Sequence, residues 1–138
     1  MLIIRKAETK DRQSILKILD ETDLHYPGET FDGFYVAEVD GKITGAVRLE
    51  EHPNFYFLTS LGVANAHQKQ GVAYALLSKI LSDLNKDVYL YTLIPNFFKK
   101  FNFLTTQPPN HLPNKEIYGC NACFPKQCAC MVKKCEHP

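Results

Sequence analysis

Val72, Leu76, Leu77, Ile80, Leu81 and Leu84 recur at a spacing near 3.6 residues, which predicts one long helix with a wide apolar face. Such a face must be covered, and the segments around it are strands. Leu2 to Ala7 reads as a strand, and Ile15, Leu16, Ile18 and Leu19 mark an amphipathic helix over roughly 10–22. Phe34 to Val39 and Ile43 to Leu49 flank Asp40-Gly41, a strong hairpin signal. Asn54 to Val63 and Val88 to Leu93 are aromatic and β-branched, as strands are. Pro95 opens a short helix carrying Phe97, Phe98 and Phe101, and two late strands are expected near Glu116–Tyr118 and Cys128–Lys133. Pro27-Gly28 breaks the pattern from Asp23 to Asp32 into a loop. The order β-α-β-β-β-α-β-α-β-β predicts a mixed α/β (α+β) chain.

With 138 residues, 45% of them hydrophobic, the chain suits a single domain over 1–138 whose folding buries about 70% of its extended surface. A formal charge of +1 argues against a nucleic-acid partner held by electrostatics. No apolar run approaches the roughly 20 residues that span a bilayer, so no membrane partner is expected. The start Met1-Leu2-Ile3-Ile4-Arg5-Lys6 turns charged too early for a secretion signal, and a cytoplasmic monomer or homodimer is the expectation.

The stretch before the long helix carries the chemistry. His67-Gln68-Lys69-Gln70-Gly71 offers no strong side-chain cap, so the first helical N–H groups are left for a ligand. Gly71 lets that ligand approach the backbone, and from His52 to Ser82 there is no Asp or Glu. Free amides and the positive helix end favour phosphate. An ordinary hydrated turn would look similar. A P-loop is excluded, since no Gly-Lys-Ser/Thr follows, and one glycine does not make a dinucleotide fingerprint.

Gln68-x-x-Gly71-x-Ala73, after Leu61-Gly62-Val63 and before an apolar helix, resembles the acetyl-CoA motif of GNAT-type N-acetyltransferases. Ile4-Arg5-Lys6-Ala7 is similar to the family's opening, Tyr35 to Arg48 to its central hairpin, and Leu93 to Phe103 to its second cofactor motif. Phe97-Phe98, Leu112-Pro113-x-Lys115 and the late cysteines look most like the N-acetylglutamate-synthase-type branch. The resemblance implies a central mixed, mostly antiparallel, splayed sheet flanked by helices. It implies acetyl-CoA as co-substrate, with Leu61, Gly62, Val63, Gln68, Lys69, Gln70, Gly71, Val72, Ala73, Tyr74, Asn96 and Phe98 as binding residues. The Leu61 backbone N–H would hold the thioester carbonyl, and an acetyl group would pass directly to the amine of a small molecule or amino acid.

Two departures bear on turnover. Phenylalanine stands at Phe98, where many members place a tyrosine that protonates sulfur. No acid stands near Phe57, where the synthase-like branch often has a glutamate. Replacement bases are Glu50, Glu51 or His52, just before the central strand, or His25 in the loop; Tyr26 or Tyr91 can replace the acid. Surface or core placement is the plain alternative for each. The short Asp23–Asp32 loop stands where members carry a second helix, so glutamate specificity does not transfer. A non-catalytic acetyl-CoA-binding module acting on a partner protein is the alternative function. Cys120, Cys123, Cys128 and Cys130 are four candidate zinc ligands, but Cys128-x-Cys130 is a poor tetrahedral half-site and buried thiols are the favoured reading.

Overall fold

A computed structural model describes residues 1–22, 32–82, 84–92, 94–109 and 129–135. The strands are β1 (Leu2–Lys6), β2 (Phe34–Val39), β3 (Lys42–Glu51), β4 (Phe55–Val63), β5 (Asp87–Thr92), β6 (Leu104–Thr105) and β7 (Ala129–Lys133). The helices are α1 (Arg12–Thr22), α2 (Val72–Leu81) and α3 (Pro95–Lys99). The strands form one sheet in the order β1-β2-β3-β4-β5-β7-β6. Among the described residues only β4 and β5 run parallel, and every other neighbour pair is antiparallel. The parallel pair is joined through α2, as a parallel connection requires. Among the described residues no helix is long and apolar enough to cross a membrane.

The hairpin signal is realised as read. Asp40 and Gly41 both take positive φ (50° and 82°), and the pair Val39↔Lys42 closes a two-residue turn between β2 and β3. The apolar face of α2 lies on the sheet, where Val72, Leu76, Leu77, Ile80 and Leu81 pack with Ala37, Val47, Leu49, Leu58, Val88, Leu90 and Met131. On the opposite face Ile15 and Leu19 of α1 cover Phe34, Val36 and Ala46. Further along that second face Phe55, Phe57, Tyr89, Cys130 and Val132 form an aromatic-rich cluster.

Several expectations shift. α2 ends at Leu81, and Leu84 is packed on the core from outside the helix, because periodicity records burial rather than hydrogen bonding. The Ser82 hydroxyl donates to the Lys79 carbonyl (2.8 Å), the kind of side-chain bond that competes with helix continuation. β3 extends past Leu49 to Glu51, so Glu50 and Glu51, which do precede the central strand β4, are themselves the last residues of a strand. α3 ends before Phe101. β6 was not legible: two exposed residues carry no alternation to read. The expected strand near Glu116–Tyr118 and the loop over 23–31 lie outside the described residues.

The first helix is pinned by charge. Arg5 on β1 reaches Asp11 through Nη1 to Oδ2 (2.7 Å) and Nη2 to Oδ1 (3.0 Å), and Nη2 also meets Glu38 Oε1 on β2 (3.0 Å). Asp11 is only 4% exposed and also accepts from the Glu8 N–H. Hydrogen bonds from Arg5 hold its carboxyl below the usual carboxylate value. A depressed folded value favours the charged form, so this stabilisation is complete above the unfolded value of about 4. It is lost as pH falls through the folded value. Asp11→Asn is expected to cost about 2 kcal/mol near neutrality, since it replaces the charge-assisted pair and leaves Arg5 with Glu38 as its carboxylate partner. The same variant flattens the acid limb of the stability curve, which urea unfolding at pH 7 and at pH 3 measures; an acid limb as steep as wild type would refute the assignment.

Candidate functional site

The site starts from a fault in β4. Its ladder with β3 pairs Arg48 with Thr59 but Ala46 with Gly62, so Ser60 and Leu61 together oppose Val47. This is a β-bulge, and Ser60 occupies it with φ of 59°, a left-handed conformation usually left to glycine. The bulge exchanges which backbone groups face which neighbour. Before it, Phe55 faces β3, since its carbonyl accepts from the His52 N–H (2.9 Å). After it, Ala64 faces β3, donating to the Thr44 carbonyl (2.8 Å). Alternation then turns the N–H and C=O of Leu61 and Val63 toward β5.

β5 is not there to meet them. The parallel ladder holds only Phe55↔Asp87, Tyr56↔Val88 and Phe57↔Tyr89, while β5 follows β7 to Thr92. The two strands therefore part after Phe57 and Tyr89, and among the described residues no strand fills the wedge between them. The Val63 carbonyl accepts instead from the Gln68 side-chain amide (3.1 Å), which also reaches Asn65 Oδ1 (3.2 Å). The Leu61 N–H faces the same open side and, among the described residues, has no ladder partner on β5. Gln68 thus ties the turn after β4 to the wedge.

That turn delivers the start of α2. Lys69 and Gly71 both have positive φ (65° and 83°), and Gly71 is the N-cap with no side-chain cap bond. The Gly71 carbonyl accepts from the Ala75 N–H (3.0 Å), which leaves the N–H groups of residues 71 to 74 without helical partners. A Cβ built on Gly71 meets nothing within 4 Å, so the backbone borders open space. Amides presented between left-handed residues at a helix start form an anion-binding concavity. Tyr74, 58% exposed, flanks it with its ring against Phe101 (5.2 Å), and Asn96 lies exposed in the first turn of α3. Phe98 departs from expectation: it is 5% exposed, edge-on to Phe97 and Phe103, and belongs to the core.

α2 is brought close by a missing side chain. Gly45 on β3 lies under α2, and a Cβ there would fall 2.7 Å from Val72 Cγ1 and 3.1 Å from Leu76 Cδ1.

The carboxylates suggested as bases are not drawn to Leu61. Glu50 pairs across the sheet with Phe57 and Glu51 with Tyr56, both on the near side of the bulge. Glu50 is clamped by Arg48 Nη1 (2.6 Å) and His52 Nε2 (2.7 Å), and the His52 ring stacks on Phe55 (4.5 Å). Glu51 is exposed and holds Lys86 Nζ (2.9 Å), a contact that lowers its carboxyl pKa. Lys86 also sits over the Tyr56 ring, while burial raises the Tyr56 hydroxyl pKa. Tyr91 lies two residues past the point of parting, with its ring on Phe57 (5.6 Å) and its backbone paired with Cys130. His25, Tyr26, Leu93, Leu112, Pro113, Lys115, Cys120, Cys123 and Cys128 lie outside the described residues. Cys130 is buried in the aromatic cluster.

Sequence reading missed the bulge and its two hydroxyls. Thr59 and Ser60 place Oγ1 and Oγ 3.4 Å apart, immediately before the free amide of Leu61. The one trace of this in the sequence is a Thr-Ser-Leu-Gly run inside an otherwise apolar strand.

Residues 3–103 match the model of the acetyltransferase (GNAT) family. Among solved structures, N-acetylglutamate synthase from Neisseria gonorrhoeae, complexed with coenzyme A and N-acetyl-glutamate, superimposes with a TM-score of 0.76 at 20% identity. The match covers 99% of this chain and 36% of the synthase chain, so this chain spans about a third of that protein's length. The ribosomal-protein-S18-alanine N-acetyltransferase from Escherichia coli gives a TM-score of 0.73 at 16% identity, covering 100% of this chain and 96% of that one. Arabidopsis thaliana Naa50, in complex with the bisubstrate analogue CoA-Ac-MVNAL, gives 0.64 at 23% identity, covering 96% of this chain and 98% of that one. These likenesses establish a shared fold.

Gly45→Ala should push α2 off the sheet at its first turn and cost about 1–3 kcal/mol, the range for overpacking. The amides of residues 71 to 74 move with it. Chemical denaturation measures the loss, and an unchanged midpoint would show that the close approach is not a constraint.

Proposed function

The chain belongs to the acetyltransferase (GNAT) family, and from that premise we propose that it binds acetyl-CoA in the wedge between β4 and β5 and passes the acetyl group directly to a small amine or amino acid. The observation that carries this is the free edge of Leu61 facing a gap that opens beside the uncapped start of α2. The two features suit the two halves of one ligand. A pantetheine arm carries amides that can pair with the unpaired strand edge, in the manner of an added strand. A diphosphate carries the charge that the N–H groups of residues 71 to 74 accept, with Lys69 exposed beside them. Gln68 positions the turn through its bond to Val63.

The chemistry follows from where the Leu61 N–H points. A thioester lying along β4 would place its carbonyl oxygen on that amide, which stabilises the negative charge that develops when an amine adds. Losing such a donor typically costs about 3–4 kcal/mol of transition-state stabilisation. The amine enters from the face of Thr59, Phe57 and Tyr91, because α2 and its core fill the other. Glu50 lies on that entry face, but its carboxylate is taken up by Arg48 and His52. Glu51 lies on the other face and takes no part in this reading.

Calorimetric titration with coenzyme A tests the proposal, followed by a screen of amino acids and polyamines read by free-thiol release. Binding with turnover of some amine is expected. Gly71→Glu should abolish binding, since its side chain projects a carboxylate into the space the phosphates need. Wild-type affinity in that variant would place the ligand elsewhere, and binding without turnover of any amine would favour a regulatory acetyl-CoA-binding module.

A further inference from the structure

Four buried polar or charged residues stand out among the described residues: Asp11, Thr44, Ser60 and Thr92. Three are satisfied by strong or backbone partners. Asp11 has Arg5, the Thr44 hydroxyl donates to the Ala37 carbonyl (3.3 Å), and Thr92 Oγ1 accepts from the Ile94 N–H (2.9 Å). Ser60 is different. It is 8% exposed, and among the described residues its hydroxyl meets the hydroxyl of Thr59 alone, at 3.4 Å. It is also held at φ of 59°, where glycine would be relaxed. A strained, buried hydroxyl with one long partner sits at the residue before the free amide of Leu61. Strain kept in that position at a cost in stability calls for a use.

We propose that Thr59 and Ser60 form a proton relay that carries the amine's surplus proton to the departing sulfur. The inference rests on the acyl-transfer reading above and assigns a role to residues that reading leaves idle. When the amine nitrogen bonds to the carbonyl carbon, the nitrogen holds one proton too many. Thr59, on the face from which the amine enters, accepts that proton at Oγ1 and gives its own to Ser60 Oγ. Ser60 gives its hydroxyl proton to sulfur as the carbon–sulfur bond breaks and its electron pair stays with sulfur. Both hydroxyls end neutral, as they began, and the products are the amide and the thiol. Neither a carboxylate nor a tyrosine is consumed, which matches a site where Glu50 is clamped on the near side of the bulge and Phe98 is core.

The test uses Thr59→Val, Ser60→Gly, Thr59→Ser and Tyr91→Phe in the intact chain, measured by coenzyme A affinity, melting temperature and kcat with the best amine from the screen. Ser60→Gly should raise the melting temperature by relieving the left-handed strain while lowering kcat about 100-fold, the low end of what a positioned proton donor contributes. Thr59→Val should lower kcat to a similar extent, the double variant should lose no more than either single one, and Thr59→Ser should restore most of the rate. Coenzyme A affinity stays at the wild-type value throughout. Wild-type kcat in either single variant, additive losses, a lower melting temperature in Ser60→Gly, or a loss confined to Tyr91→Phe would overturn the relay. So would a wild type that binds acetyl-CoA but transfers to no amine and not to water. A wild type that fails to bind coenzyme A refutes the acyl-transfer reading itself, a separate outcome.

Discussion

Two parallel strands that part after three pairs leave backbone donors and acceptors with no neighbour, and the arrangement of this protein follows from how those groups are met. An unpaired buried amide costs about as much as a lost hydrogen bond, roughly 1–3 kcal/mol. The chain satisfies the Val63 carbonyl with Gln68 and leaves the Leu61 N–H to the wedge. A fold that only needed stability would have continued the ladder. Keeping an open edge in the middle of a sheet, not at its rim, gives a ligand a rigid strand on each side.

The bulge and the glycine at position 45 solve one geometric problem together. The bulge rotates the end of β4, so the same strand pairs with β3 throughout yet presents different groups to β5 before and after Ser60. Gly45 lets α2 settle onto β3 close beside that end, with Val72 and Leu76 in the space a side chain would take. The result brings a row of free amides on α2 beside the free edge on β4. Neither feature alone makes a site: an uncapped helix start is commonly hydrated, and a splayed strand is commonly filled by a side chain.

Most of the framework was legible because it rests on local signals. Asp40-Gly41 fixed the hairpin through the one turn that demands two positive φ values, and the α2 stripe named the core face. The absence of a capping side chain before Val72 was likewise visible residue by residue. What stayed hidden depends on strand register. No periodicity distinguishes Thr59-Ser60-Leu61 as bulged, since the side chains read as an ordinary half-buried strand. The clamp of Glu50 by Arg48 and His52 joins residues two apart on one face of a strand that was expected to end at Leu49. Phe98 illustrates the converse: a motif position implied a ligand contact, and packing against Phe97 and Phe103 made it core.

The chemistry asked of such a site is modest, and this bears on why neutral residues can suffice. A thioester carbonyl is already activated, and a thiolate leaves far more readily than an alkoxide. On the proposed reading the large term would be the Leu61 amide that steadies the developing oxyanion, a backbone group that the bulge turns toward the wedge. What would remain is to move one proton a short distance from nitrogen to sulfur. A buried carboxylate would carry a desolvation cost of several kcal/mol in that setting unless paired, and Glu50 on the entry face is held by Arg48 and His52. Hydroxyls carry a smaller cost than an unpaired charge, and they can accept and donate in one step and finish uncharged. In the proposed relay a Thr-Ser pair at the point of parting would move that proton without placing an unpaired charge in the gap.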